Sequence, residues 1–311
     1  MDVYHCDTFV LPLPEKHRFP MKKYELLRLA VRDCPELSPH INLRLPPAAT
    51  DEQLLRVHAP EYVEALKTGQ LDRRIERGIG FPYSPALLER SRRSVGATLA
   101  AGRSALRDGV AVNLAGGTHH AFRHRGEGFC VFNDSAVAIR ALQAERLVER
   151  ALIIDTDVHQ GNGTASIFAE DPTVFTFSIH GAKNFPFRKE CSDLDIALPD
   201  GAGDAEYLGA LEEALEQLKD IPADFAIFQS GADPYTNDKL GRLALSKEGL
   251  KRRDTMVFRW LADRRLSAAV TMGGGYAPEV EDIVDIHFQT VRAAFYFSRE
   301  ATTASSTPAD L

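Results

Sequence analysis

The sequence predicts an α/β protein, a single three-layer domain whose mostly parallel central sheet is flanked by helices. Three observations carry that expectation. Apolar runs at 110–115, 151–154, 174–179, 225–229 and 268–272 have the length of buried strands. Helical patterns at 134–147, 163–170, 204–219, 247–264 and 278–293 lie between or after them, and such alternation builds right-handed βαβ units. Glycines and unusual polar residues gather just after each run, where open α/β sheets keep their ligands.

Taken in order, residues 1–6 suit a short first strand. The three prolines of 7–21, DTFVLPLPEKHRFPM, suit a surface loop. Residues 22–32 and 51–67 show amphipathic helical spacing, 69–84 is expected to be a loop at a rim, and 86–107 is a helix. The domain is expected to span 1–299, with 300–311 as a disordered tail, and there is no internal repeat. At 311 residues, 44% hydrophobic and 26% charged, the composition is that of a soluble enzyme. No run is long enough to cross a bilayer, and the N-terminus is not a signal peptide. Cys6, Cys34, Cys130 and Cys191 form no C-x-x-C, which argues for reduced thiols in a cytoplasm. A net charge of −7 argues against nucleic acid as a direct partner, so the basic clusters Arg90-Arg92-Arg93, Lys251-Arg252-Arg253 and Arg264-Arg265 are expected to be solvated helix faces. No obligate partner is expected.

The richest stretch is ALIIDTDVHQGNG, 151–163. Asp155, Asp157 and His159 stand at alternate positions and share a face where the strand ends. Gly116-Gly117-Thr118-His119-His120, His180-Gly181, Ser230-Gly231-Ala232-Asp233 and Gly273-Gly274-Gly275-Tyr276 follow four other runs. Asp157, His159 and Asp233 supply three N/O ligands and leave a fourth position open, the pattern of a catalytic zinc. His119 and His120 are candidate proton acceptors, with Asp155 and Asn162 to orient them. Tyr276 offers an O–H donor to a developing oxyanion. Together these describe an amidohydrolase. A two-manganese ureohydrolase is excluded, because its extra ligands would fall at Gly161 and Gly231.

GGTHHA (116–121), GFCVFND (128–134), IIDTDVHQGNG (153–163), SGAD (230–233) and GGGY (273–276) resemble the signature set of the zinc-dependent histone deacetylase superfamily, over roughly residues 5–290. The D-x-D-x-H-Q-G-N-G form is most similar to class IV deacetylases and their bacterial relatives. The resemblance implies an arginase/deacetylase fold with Asp157, His159 and Asp233 on Zn2+, or Fe2+ as the alternative. It implies His120 as general base and acid for attack by a zinc-activated water, His119 paired with Asp155 as electrostatic support, and Tyr276 polarising the carbonyl. Gly128, Phe129, Phe185 and Gly274 match the tunnel for an extended acyl-lysine. Asp155, Asp157, His159, Ser178 and Ile179 match a structural K+ site, and Arg18 matches an arginine of an internal acetate-exit cavity. Asn162 stands where class I enzymes carry Asp, so the His120 imidazolium is less stabilised here. The substrate implied is an acyl-lysine protein or peptide, with an acetylpolyamine, another small N-acyl amine or a fatty-acyl-lysine as the alternatives. A non-catalytic acyl-lysine binder would have lost a ligand or the tyrosine, and all are present.

Overall fold

Along the central strands the apolar residues divide by parity. In β4 (Ala151–Asp155), Leu152 and Ile154 join one buried cluster while Ala151 and Ile153 join another. β7 (Phe225–Ser230) splits the same way, Ala226 and Phe228 against Phe225 and Ile227. Alternate side chains leave a strand on opposite faces, so a sheet apolar at every position carries a core on each side. The structure, a computed structural model, describes the backbone of residues 1–15 and 17–305 and side chains through 298.

The remaining strands are β1 (Asp2–Tyr4), β2 (Asn42–Arg44), β3 (Val110–Asn113), β5 (Val174–Gly181), β6 (Leu194–Leu198) and β8 (Ser267–Met272). Their order is β2-β1-β3-β8-β7-β4-β5-β6, and every neighbouring pair is parallel. One face is covered by α1 (Lys22–Asp33), α8 (Asp204–Leu218), α9 (Lys247–Asp263) and α10 (Val280–Ser305). The other is covered by α2 (Asp51–Leu55), α3 (Pro60–Thr68), α4 (Arg73–Ile79), α5 (Pro85–Asp108), α6 (Asp134–Ala144) and α7 (Asn162–Phe168). This is the three-layer α/β architecture that the alternation predicts.

The differences have local causes. The helix expected over 51–67 is two, because Pro60 has no N–H to donate and opens α3 at its first turn. The expected loop 69–84 contains α4, capped by the Asp72 side chain and closed by Gly80 at φ 80°. β2 and β6 lie at the sheet edges, where half the residues face solvent and no apolar run marks them. Backbone of the expected tail continues α10 through Ser305, and 306–311 lie outside the described residues. Arg253 is no solvated side chain: it is fully buried. Among the described residues no helix is long and apolar enough to cross a membrane.

Candidate active site

β3, β8, β7 and β4 are consecutive in the sheet, so the turns after them meet at one place. Those turns, with Asp155 at the end of β4 and Asn162 at the start of α7, hold every residue expected to do chemistry. Asp157, His159 and Asp233 are buried, and their ligand atoms lie within 4.8 Å of one another, the only such group among the described residues. His159 Nδ1 is 2.9 Å from Asp157 Oδ1 and 3.2 Å from Asp233 Oδ2. Asp157 Oδ2 accepts from the Gly274 N–H at 2.5 Å, and Asp233 Oδ1 accepts from the Val158 N–H at 3.0 Å. Asp233 Oδ2 has no hydrogen-bond partner although it is buried. Burial and the neighbouring Asp157 charge push the Asp233 carboxyl up to about 7. Two carboxylates this close in a dry place require a cation, and an orphaned oxygen beside an imidazole suits a divalent metal. Position 274 must be glycine, since a Cβ there would stand 1.8 Å from Asp233 Oδ2.

His119 and His120 lie with ring centroids 4.1 Å apart. His119 Nδ1 is 2.6 Å from Asp155 Oδ2 and 2.7 Å from the Gln229 side-chain amide. Burial lowers the His119 pKa, but the Asp155 and Asp157 carboxylates more than offset it, and the net direction is up. His120 Nδ1 is 2.7 Å from Asn162 Oδ1. Burial, joined by the fields of His119 and His159, pushes His120 well below the usual imidazole range, and the Asn162 bond opposes this. The second oxygen of the orienting set comes from an unexpected residue: Asn162 Nδ2 donates to Glu127 Oε2 at 3.1 Å.

Tyr276 follows the glycine run, and its N–H donates to Asp238 Oδ2 at 2.6 Å. Its ring meets those of Phe19, Phe129 and His159 edge-on or tilted. Burial, then the Asp233 and Asp157 charges, holds its phenol well above the usual range, so it stays a donor.

Two cavities share His120, Gly128, Phe129, His159 and Tyr276. The larger, about 430 Å³, also holds Phe185, whose ring packs edge-on to His120 at 4.9 Å. Gly128 and Phe129 both have left-handed backbone, φ 53° and 66°. A bulky residue tolerates this only when held, and the Phe129 N–H donates to Ile79 O at 2.7 Å. The smaller cavity, about 50 Å³, is lined by Gly274, Lys23 and Tyr24. Gly274 and Arg18 divide between the two cavities. Gly274 belongs to the smaller cavity, because its N–H is tied to Asp157. Arg18 lines the larger one, its guanidinium lying over the Phe129 ring at 5.1 Å. The cation of the smaller cavity is Lys23, 3.4 Å from Gly275 O and lowered to about 8 by burial.

For the expected K+ group, Asp155 and Ser178 are register partners on β4 and β5, Ile179 is next along β5, and Asp157 and His159 follow β4. Arg253, on α9, donates to Gly231 O at 2.6 Å and Thr156 O at 3.4 Å, bracing the turns that carry the candidate ligands. No motif marks Arg253, Glu127, Gln229 or Lys23; only the charge of Lys23 in an otherwise apolar helix face was a signal, and lysine is rarely buried.

Residues 17–291 match the histone deacetylase domain family. An uncharacterised protein of Picosynechococcus sp. is 43% identical over 293 residues, 94% of this chain and 97% of that one. A histone deacetylase-like amidohydrolase of Pseudomonas aeruginosa is 32% identical over 79% of this chain and 69% of its own. Among solved structures, a histone deacetylase homologue from Aquifex aeolicus is similar with a TM-score of 0.80 at 25% identity, covering 97% of this chain and 88% of that one.

Proposed function

We propose that this chain, which belongs to the histone deacetylase family and is a hydrolase acting on amide bonds, removes an acyl group, acetyl first, from the side-chain amine of lysine. The observation that supports this most is the buried Asp157, His159 and Asp233 cluster, whose His159 reaches the wall of a cavity that also presents His120 and Tyr276. Those three residues would hold Zn2+, with Fe2+ the alternative; the ion supplies Lewis acidity toward the acyl carbonyl and lowers the pKa of water.

The chain's own groups do the rest. His120, with Nδ1 committed to Asn162, keeps Nε2 for the cavity, and its lowered pKa leaves it neutral. It takes the proton of the attacking water and returns it to the departing amine nitrogen. His119, held by Asp155, adds positive field beside the negative charge that develops. The Tyr276 O–H donates to the acyl oxygen as that charge builds. Gly128, Phe129 and Phe185 line the passage for an extended methylene chain and exclude water from it. K+ held by Asp155, Asp157, His159, Ser178 and Ile179 would brace the ligand turns. The D-x-D-x-H-Q-G-N-G form supports a likeness to the class IV enzymes and their bacterial relatives, and four free cysteines support a cytoplasmic setting.

An acetylpolyamine is the second reading. The zinc-loaded protein is to be given a neutral acetyl-lysine peptide, its long-chain acyl counterpart and an acetylpolyamine at equal concentration. The expected result is acetyl-lysine hydrolysis at a kcat/KM at least about tenfold above the polyamine, about 1.4 kcal/mol in the barrier. Hydrolysis of the polyamine alone would replace the lysine assignment.

A further inference from the structure

We infer that the substrate carries a carboxylate at the mouth end of the methylene chain that bears its acylated amine; this rests on the amide hydrolysis proposed above. The larger cavity is lined by Arg18, Lys183, Lys239 and Arg242 and by no carboxylate, although the chain as a whole carries a net charge of −7. Lys183 and Arg242 share one counter-ion, Asp200, at 3.8 and 3.0 Å. Neither Arg18 nor Lys239 has a carboxylate ion-pair partner among the described residues. Phe187, 88% exposed, adds an apolar platform at the same mouth. Cations focused at the entrance of a cleft attract an anionic ligand and repel a polyamine, whose free amines are protonated. The carboxylate is either an acidic residue flanking acyl-lysine in a peptide or the α-carboxylate of a free acyl-lysine.

The test compares kcat/KM for acetyl-lysine peptides flanked by Asp, by Gly or by Lys, for Nα-blocked acetyl-lysine with a free or amidated carboxyl, and for acetylputrescine. The Asp-flanked peptide is expected to exceed the Lys-flanked one by about tenfold, the gap shrinking as salt rises. Whichever carboxylate source gains more identifies the substrate type. Arg18→Glu with Lys239→Glu should reverse the order of the two peptides, and Arg18→Ala alone should narrow it. Equal rates for the Asp- and Lys-flanked peptides, or a gap indifferent to salt, overturn the charge inference while hydrolysis of the Gly-flanked peptide keeps the reaction standing. No hydrolysis of any member overturns both.

A separate observation carries a second inference: the structure assigns Glu127 the task of positioning the Asn162 amide. An aspartate at 162 could only accept from His120 Nδ1, whereas an asparagine can present either end. Presenting its NH2 would force Nδ1 to accept and put the ring proton on Nε2, where a base needs a lone pair. The Glu127 carboxylate, 28% exposed, cannot donate to the amide, so it holds the NH2 end at 3.1 Å and turns Oδ1 toward Nδ1 at 2.7 Å. Glu127→Ala is expected to lower kcat about tenfold, with KM within about twofold and the melting midpoint unchanged. Glu127→Gln, which can still accept, should recover most of that loss. In an Asn162→Asp background the cost of Glu127→Ala should vanish. An undiminished kcat in Glu127→Ala, an equal loss in Glu127→Gln, or an equal loss in both backgrounds overturns the assignment; the Ala and Gln contrast decides it even if Asn162→Asp is inactive.

Discussion

Asp233→Asn is expected to lose the metal and at least about 10³-fold in kcat/KM while the fold stays intact. Asp233 is fully buried, and its two oxygens have different duties. Oδ1 accepts from the Val158 N–H, a bond the asparagine carbonyl reproduces. Oδ2 accepts from nothing, and the substitution turns it into an amide NH2, which cannot ligate a cation. The variant thus removes one ligand and keeps the volume and the structural hydrogen bond. An alanine there would confound the two by also orphaning the Val158 N–H and leaving a hole. Metal per chain measured by atomic spectroscopy, read beside the melting midpoint with and without chelator, checks this. A variant that still binds one equivalent of zinc, or still turns over, removes Asp233 from the ligand set.

Tyr276→Phe is expected to lower kcat by about 10²–10³-fold, with KM within about twofold, the size seen when one oxyanion donor is deleted. The side chain's contacts with Phe19, Phe129 and His159 are made by the ring, and its position is anchored by the backbone N–H on Asp238. Deleting the hydroxyl therefore leaves the cavity wall in place. What disappears is a phenol that burial keeps protonated beside the place where the acyl oxygen becomes negative. Steady-state kinetics on the preferred acetyl-lysine peptide separates the alternatives. A rise in KM with kcat unchanged would make Tyr276 a wall residue and no more.

Most of the architecture is legible along the chain. Five apolar runs alternating with helical patterns announce a parallel sheet covered on both faces, since a strand buried on both sides has no polar positions to show. The candidate ligands are legible for a similar reason: Asp157, His159 and Asp233 follow directly on apolar strands, and buried polar groups in such a place need a partner or an ion. Edge strands β2 and β6 and the short α4 are not legible, because their residues face solvent by halves and the local pattern carries no period.

Other features depend on which strands are neighbours. The order β3-β8-β7-β4 is set by long-range packing, and only that order puts His119, Tyr276, Asp233 and Asp157 on one wall. The same packing buries Arg253 under the ligand turns, seats Lys23 in the smaller cavity and leaves Arg18 in the larger one, although all three are simply cations in the sequence. It brings Glu127 to Asn162 across 35 residues, which settles the direction of an amide whose two ends differ only in what they face. The sequence by itself determined the chemical types and their places along each strand, because periodicity and burial are local properties. The tertiary structure decided which of those groups meet and with what polarity, because distance, desolvation and hydrogen-bond direction exist only between elements that have packed.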